Sequence, residues 1–219
     1  MPNCCAGPAA SGGRRPSELV ALVEDLPADA GVVRSAGFTS LRRGQAATAA
    51  QVARSTGLEL HAVDEVLTAM AERGAVELDD RGRVVGVGGL SLVPTRHELT
   101  LDGVPLHTWC AFDALGIPAA LAVDAVARSG CAHCGRSVEV AVHAGVPDEA
   151  STAVVWFPQA GDASHVRHDF CDAANLFCGR AHLDAWHAAA DHPAGEALTV
   201  AEVAERGRAN WAQDARWTG

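Results

Sequence analysis

Apolar and polar positions fall into their clearest rhythm between Thr48 and Gly74. Thr48 and Gln51 form a T-x-x-Q capping box, which predicts a helix running through Arg54. Ser55-Thr56-Gly57 is a tight break. Val63, Val66, Leu67 and Met70 then recur at i, i+3, i+4 and i+7, predicting a second helix that Gly74 ends. Val76-Glu77-Leu78 and Arg83-Val84-Val85 flank Asp80-Arg81-Gly82 and predict a hairpin. Helix, turn, helix, hairpin is the order of a winged helix. Upstream, Leu19, Val20, Leu22 and Val23 give a short helical pattern behind Ser17, whereas 28–45 has no period and reads as loose chain.

From Gly89 the texture changes. Residues 90–93 and 97–101 read as strands joined through Pro94-Thr95, with a turn at Asp102-Gly103. A helix is predicted over 109–123, broken near Gly116-Ile117-Pro118. Strands are predicted at 138–142 and 153–157, and helices at about 182–190 and behind the capping box Thr199-x-x-Glu202. The predicted class is therefore α+β. A disordered Gly/Pro-rich tail (1–15) precedes a winged-helix-like module (16–88), followed by a domain of small mixed sheets and helices (89–219).

Composition narrows the function. With 48% apolar residues the 219-residue chain can bury a real core. Its net charge is −10, and its basic residues are all Arg. The predicted second helix of the winged module exposes Asp64, Glu65 and Glu72 against Arg73, a face that repels phosphates, so DNA is an unexpected partner. Aromatic residues make up only 5%, which argues against a stacking platform for single strands. No run reaches membrane-spanning length, and Glu18, Glu24 and Asp25 interrupt the stretch where a signal peptide needs an apolar core. A cytoplasmic protein is expected, in which cysteines stay reduced and serve as ligands or nucleophiles.

The seven cysteines sort into three groups. Cys110 falls near the start of the predicted 109–123 helix, where the dipole favours a thiolate, and Asp113 lies three residues on. The pair reads either as a nucleophile or soft-metal ligand beside a proton carrier, or as a core cysteine near a solvated Asp. Cys131-x-x-Cys134-Gly135 is a knuckle, and Cys178-x-x-x-His182 starts a later helix. Together these make a Cys₃His set in the chain order of a treble-clef site for structural zinc, with free thiols or a soft-metal shuttle as the other readings. Cys171, in His168-Asp169-Phe170-Cys171-Asp172, has no partner in that set and is left with Cys110. Cys4-Cys5 sits in the tail.

At these residues the sequence resembles the alkylmercury (organomercurial) lyase family. Leu106-His-Thr-Trp109-Cys110-Ala-Phe-Asp113-Ala-Leu-Gly-Ile-Pro118-Ala is similar to that family's Tyr-x-Trp-Cys-Ala-x-Asp-x-Leu-x-x-Pro-x segment, with His107 where the Tyr is expected. Val166-Arg-His-Asp-Phe-Cys171 is similar to its later cysteine segment. The resemblance implies an enzyme of mercury resistance and detoxification, with Cys110 and Cys171 holding mercury and Asp113 moving the proton. The reaction would release a hydrocarbon and leave Hg(II) on the two sulfurs, without an organic cofactor. Low-molecular-weight thiols or a mercuric reductase would then accept the metal. Against that family the knuckle set looks like the addition of a divergent branch. The competing expectation is a non-catalytic protein that binds or senses Hg, Cu or Zn, with the winged helix transmitting the signal.

Overall fold

A computed structural model describes residues 26–159 and 165–217. The expected tail, the helix behind Ser17 and the pair Cys4-Cys5 lie outside them. The first described element corrects the sequence expectation: 28–45 is not loose, because Ala30–Leu41 is a helix, α1. It is buried on most sides (Val33, Ala36, Gly37, Phe38 and Leu41 among others), so it lacks the polar stripe by which a helix is recognised.

The next elements follow the pattern closely. In α2 (Ala49–Thr56) the Thr48 hydroxyl accepts from Gln51 N–H at 3.2 Å, and Thr48 N–H donates to Gln51 Oε1 at 2.8 Å. Helix α3 (Leu60–Glu72) buries Val63, Val66, Leu67 and Met70. Strands β1 (Val76–Leu78) and β2 (Val84–Val87) form the hairpin, and Asp79 Oδ1 accepts from the backbone N–H of Arg81 and Arg83 at 3.0 and 2.9 Å.

The hairpin does not stand alone. Strand β2 pairs with β3 (Leu90–Ser91), and the sheet continues through β5 (Val104–Thr108), β4 (His97–Leu101), β6 (Ala125–Gly130), β7 (Ser137–His143) and β8 (Val146–Pro147). All eight strands are antiparallel to their neighbours, so a large sheet replaces the small ones expected. Strands β5 and β6 carry a weak signal. Pro105 interrupts the first, and the second buries only Ala125, Ala127 and Ser129, small residues without strand preference.

Helix α4 (Ala111–Leu121) follows β5 and runs unbroken through Pro118, where a break was expected. It crosses α6 (Val200–Asn210) at Gly116 and Gly207 so closely that a Cβ on Gly207 would lie 2.3 Å from Gly116 Cα. A second, three-stranded sheet has the order β10 (Leu176–Phe177), β9 (Val154–Pro158), β11 (Gly195–Thr199). A single π-helical turn, Arg167–Cys171, precedes β10, α5 (Arg180–Ala189) follows it, and α7 (Ala212–Arg216) packs back on α1. The main core joins the N-terminal helices to α4 and the large sheet; a small separate cluster forms around Trp156, Phe177 and Leu183.

Candidate active site

Cys110 is the N-cap residue of α4 rather than a member of its first turn. Strand β5 delivers it: Trp109 N–H donates to Gly89 O at 3.0 Å, and the Thr108 hydroxyl donates to Cys110 O at 3.0 Å. Asp113, at the third helical position, turns back so that Oδ2 accepts from Cys110 N–H at 3.1 Å. That hydrogen bond satisfies an orphan helix donor and holds the carboxyl beside the sulfur. Cys171 arrives from the end of the π-helical turn. Ala111 N–H, the first of α4, donates to Ala174 O at 3.1 Å and ties the two segments together.

The ligand atoms of Cys110, Asp113 and Cys171 lie within 4.8 Å of one another, and the residues are 0%, 5% and 4% exposed. Both cysteines are free. Burial, then the hydrogen bond with Cys171 and the nearby Asp113 charge, push the Cys110 thiol well up. For Cys171 the hydrogen bond with Cys110 pulls downward, but burial and the Asp113 charge together outweigh it, so this thiol is raised too. Burial lifts the Asp113 carboxyl to about 6, against the lowering effects of its hydrogen bonds with Cys110 and the charge of Arg34. At neutral pH the resting set is thus two thiols and a carboxylate whose pKa of about 6 lies only just below.

Glu77 on β1 braces this arrangement. Its carboxylate accepts from Trp109 Nε1 and from the Ser91 hydroxyl, each at 2.8 Å, and pairs with Arg167. The Arg167 guanidinium lies over the Trp109 ring, 5.7 Å from its centroid. The neighbours of both thiols are therefore locked to one carboxylate.

Asp113 and Cys171 open onto a cavity of about 110 Å³. Its apolar walls include Leu26, Met70, Trp109, Phe112, Phe170 and Trp211. Arg34, ion-paired with Asp214 at 2.9 Å, supplies a charged edge. Gly89 also lines the cavity; its φ is +91°, and a Cβ there would sit 2.6 Å from Asp113 Cγ. Gly89→Ala is expected to cost at least about 2 kcal/mol, from backbone strain plus overpacking, and to slow turnover by displacing Asp113. Denaturant unfolding beside a turnover assay checks this, and wild-type values in both would refute the close approach.

The structure brings together both residue groups singled out from the sequence. Sulfur and imidazole atoms of Cys131, Cys134, Cys178 and His182 also lie within 4.8 Å of one another, away from the cavity. Sequence reasoning missed Glu77, Arg167, Arg34 and the cavity walls. Their residue types are common and carry no spacing signal, although Trp109 beside Cys110 invited a search for a partner to its indole N–H.

Two buried thiols and a buried carboxyl, two of the three lining an apolar cavity, form a group whose donors suit a soft metal and whose acid suits proton transfer. The comparisons with known proteins agree. A family model described as alkylmercury lyase matches residues 90–213. The chain is 35% identical over 173 residues to an alkylmercury lyase of Bacillus cereus, covering 77% of this chain and 75% of that protein. It is 34% identical over 177 residues to one of Streptomyces lividans, covering 77% and 76%. Its structure is similar to a crystal structure of the mercury-bound form of MerB2, with TM-score 0.81, 25% identity, and coverage of 91% of this chain and 98% of the other. The chain belongs to the alkylmercury lyase family.

Proposed function

We propose that this protein cleaves the carbon–mercury bond of organomercurials by protonolysis at Cys110, Cys171 and Asp113. The observation that carries the reading is the convergence of two buried sulfurs and one buried carboxyl within 4.8 Å beside an apolar cavity. The cavity suits an organic group, and the sulfurs suit a soft metal.

The chemistry balances without an organic cofactor. The substrate enters as R–Hg bound to a carrier thiol. One cysteine thiol displaces that carrier, and its proton leaves on the departing thiol. The second cysteine then joins mercury, and its proton passes to the Asp113 carboxylate. Burial favours the neutral carboxyl, which holds the proton against water. Two sulfur donors load electron density onto mercury and weaken the Hg–C bond. Asp113 returns its proton to carbon as that bond breaks, the bonding pair becoming the new C–H bond. Products are R–H and Hg(II) on two thiolates, and Asp113 ends as it began. External thiols or a mercuric reductase would remove the metal, in a reducing compartment such as the cytoplasm.

The test is hydrocarbon release. With a phenylmercury or methylmercury salt and excess thiol, benzene or methane should form in proportion to protein; no gas above the thiol-only control would overturn the proposal. A pH dependence follows from Asp113. It must start as carboxylate to take the second thiol's proton, and its pKa is about 6, so turnover should fall as pH drops through about 6. Activity that stays flat to pH 5 would remove Asp113 from the proton path.

The N-terminal helices and hairpin fit the winged-helix order, and we assign them a structural role. Exposed Asp64, Glu65 and Glu72 on α3 oppose DNA binding. Met70 and Arg34 line the same cavity as Cys171, which gives the module a direct part in the site. A sensing protein without catalysis would gain little from a buried acid at hydrogen-bond distance from Cys110. Among the described residues no helix is long and apolar enough to cross a membrane.

A further inference from the structure

We infer that Cys131, Cys134, Cys178 and His182 bind one zinc ion, and that this ion staples the segment carrying Cys171 to the large sheet. The four ligand atoms lie within 4.8 Å of one another, and two of their separations match the edges of a zinc tetrahedron. Cys131 Sγ is 3.5 Å from His182 Nδ1, and Cys134 Sγ is 3.7 Å from Cys178 Sγ. With Zn–S of about 2.3 Å and Zn–N of about 2.0–2.1 Å, tetrahedral edges are about 3.5–3.6 Å for S–N and about 3.8 Å for S–S. The sulfurs are far outside disulfide distance, about 2.05 Å, and all are free.

Each ligand is delivered by a different local device. Cys131 follows β6, and the knuckle closes with Gly135 N–H donating to Cys131 O at 2.8 Å and Cys131 N–H donating to Arg136 O at 2.9 Å. Gly135 takes a φ of +71°, which lets the turn wrap and present both sulfurs on one side. Cys178 follows β10 directly, and His182 lies on the first turn of α5. The four residues thus join the β6–β7 turn of one sheet to the β10–α5 junction of the other.

The apolar packing at that junction is modest. Its local apolar cluster consists of Cys131, Trp156, Phe177 and Leu183, apart from the main core. Half-buried Val154, Trp186 and Ala197 extend this cluster, and a bound metal would add a firm link to it. The chain between Cys171 and Cys178 is fastened along its length: Ala111 N–H to Ala174 O at 3.1 Å, Trp156 N–H to Asn175 O at 3.0 Å and Ala132 N–H to Leu176 O at 3.0 Å. Fixing Cys178 therefore fixes the far end of the strap whose near end is Cys171. The positioning role rests on Cys171 being the second mercury ligand; the zinc site itself does not.

Metal analysis of protein prepared without chelator should give one zinc per chain. Cys134→Ser and His182→Ala should reduce it to well under half, while Cys110→Ser should keep it in full. His182→Cys, which retains a ligand, should restore zinc and guards against misfolding of the alanine variant. Cobalt(II) substitution should yield the intense visible bands and sulfur charge-transfer absorption of a tetrahedral thiolate site. Zinc-free wild-type protein, stoichiometric copper in its place, or zinc lost only in Cys110→Ser would overturn the site. The staple is read by hydrogen exchange, with no mercury present. Stripping zinc from the holoprotein should speed exchange at least tenfold at Ala111, Ala132 and Trp156, and unchanged rates would overturn the positioning role. Zinc retained with no hydrocarbon release would instead count against the lyase reading alone.

Discussion

Replacing Cys110 by serine should abolish hydrocarbon release, a fall of at least about 10³-fold, and Cys171→Ser should do the same. A hydroxyl is nearly isosteric with a thiol, but its oxygen is a hard donor with little affinity for mercury. Only one sulfur then remains to load charge onto the metal, and the Hg–C carbon stays a poor proton acceptor. The fold should survive, because Cys110 and Cys171 contribute little buried volume that serine does not replace, and the brace of Glu77, Trp109 and Arg167 is untouched. The check is gas analysis on variants whose unfolding midpoints match wild type. Turnover retained in either variant would break the requirement for two sulfurs.

Asp113→Asn should separate two events that the wild-type site links. The amide oxygen can still accept from Cys110 N–H, so the cap of α4 persists. Mercury capture through a single thiol needs no proton acceptor, and labelled phenylmercury should stay with the protein through gel filtration. Proton delivery to carbon should slow by about 10²–10⁴-fold, the usual worth of a positioned acid–base group. The residual rate should also lose its dependence on pH near 6, the value to which burial lifts this carboxyl. Loss of capture together with release would show Asp113 to be structural.

The contrast between what the sequence disclosed and what it hid follows from how rare each signal is. Thiols and imidazoles are uncommon and bind through few geometries, so the knuckle, its distant Cys178/His182 pair and the leftover Cys110/Cys171 could be sorted on paper. The structure brings each set together. The elements from α2 to β2 were legible because capping boxes, glycine stops and turn residues act over a few neighbouring positions. Helix α1 was not, since burial on most sides removes its periodicity. Strands β5 and β6 were hidden by Pro105 and by small inward residues; β5 pairs with β4 through the tight turn at Asp102-Gly103, and β6 reaches β4 only after the whole of α4. Glu77 illustrates the limit most clearly. It is one acid among many in the sequence, and only folding places it against Trp109, Ser91 and Arg167.

The two walls of the cavity have separate origins. Trp109, Phe112 and Phe170 stand on the segments that also bear the sulfurs and the carboxyl, whereas Leu26 and Met70 come from the N-terminal part of the chain and Trp211 from its last helices. Part of the space proposed for the organic group is thus written in stretches of sequence apart from the sulfurs and the carboxyl. On the proposed reading, exchanges at Met70 or Trp211 would reshape the space for the organic group, toward bulkier aryl groups or toward methyl, without touching Cys110, Asp113 or Cys171.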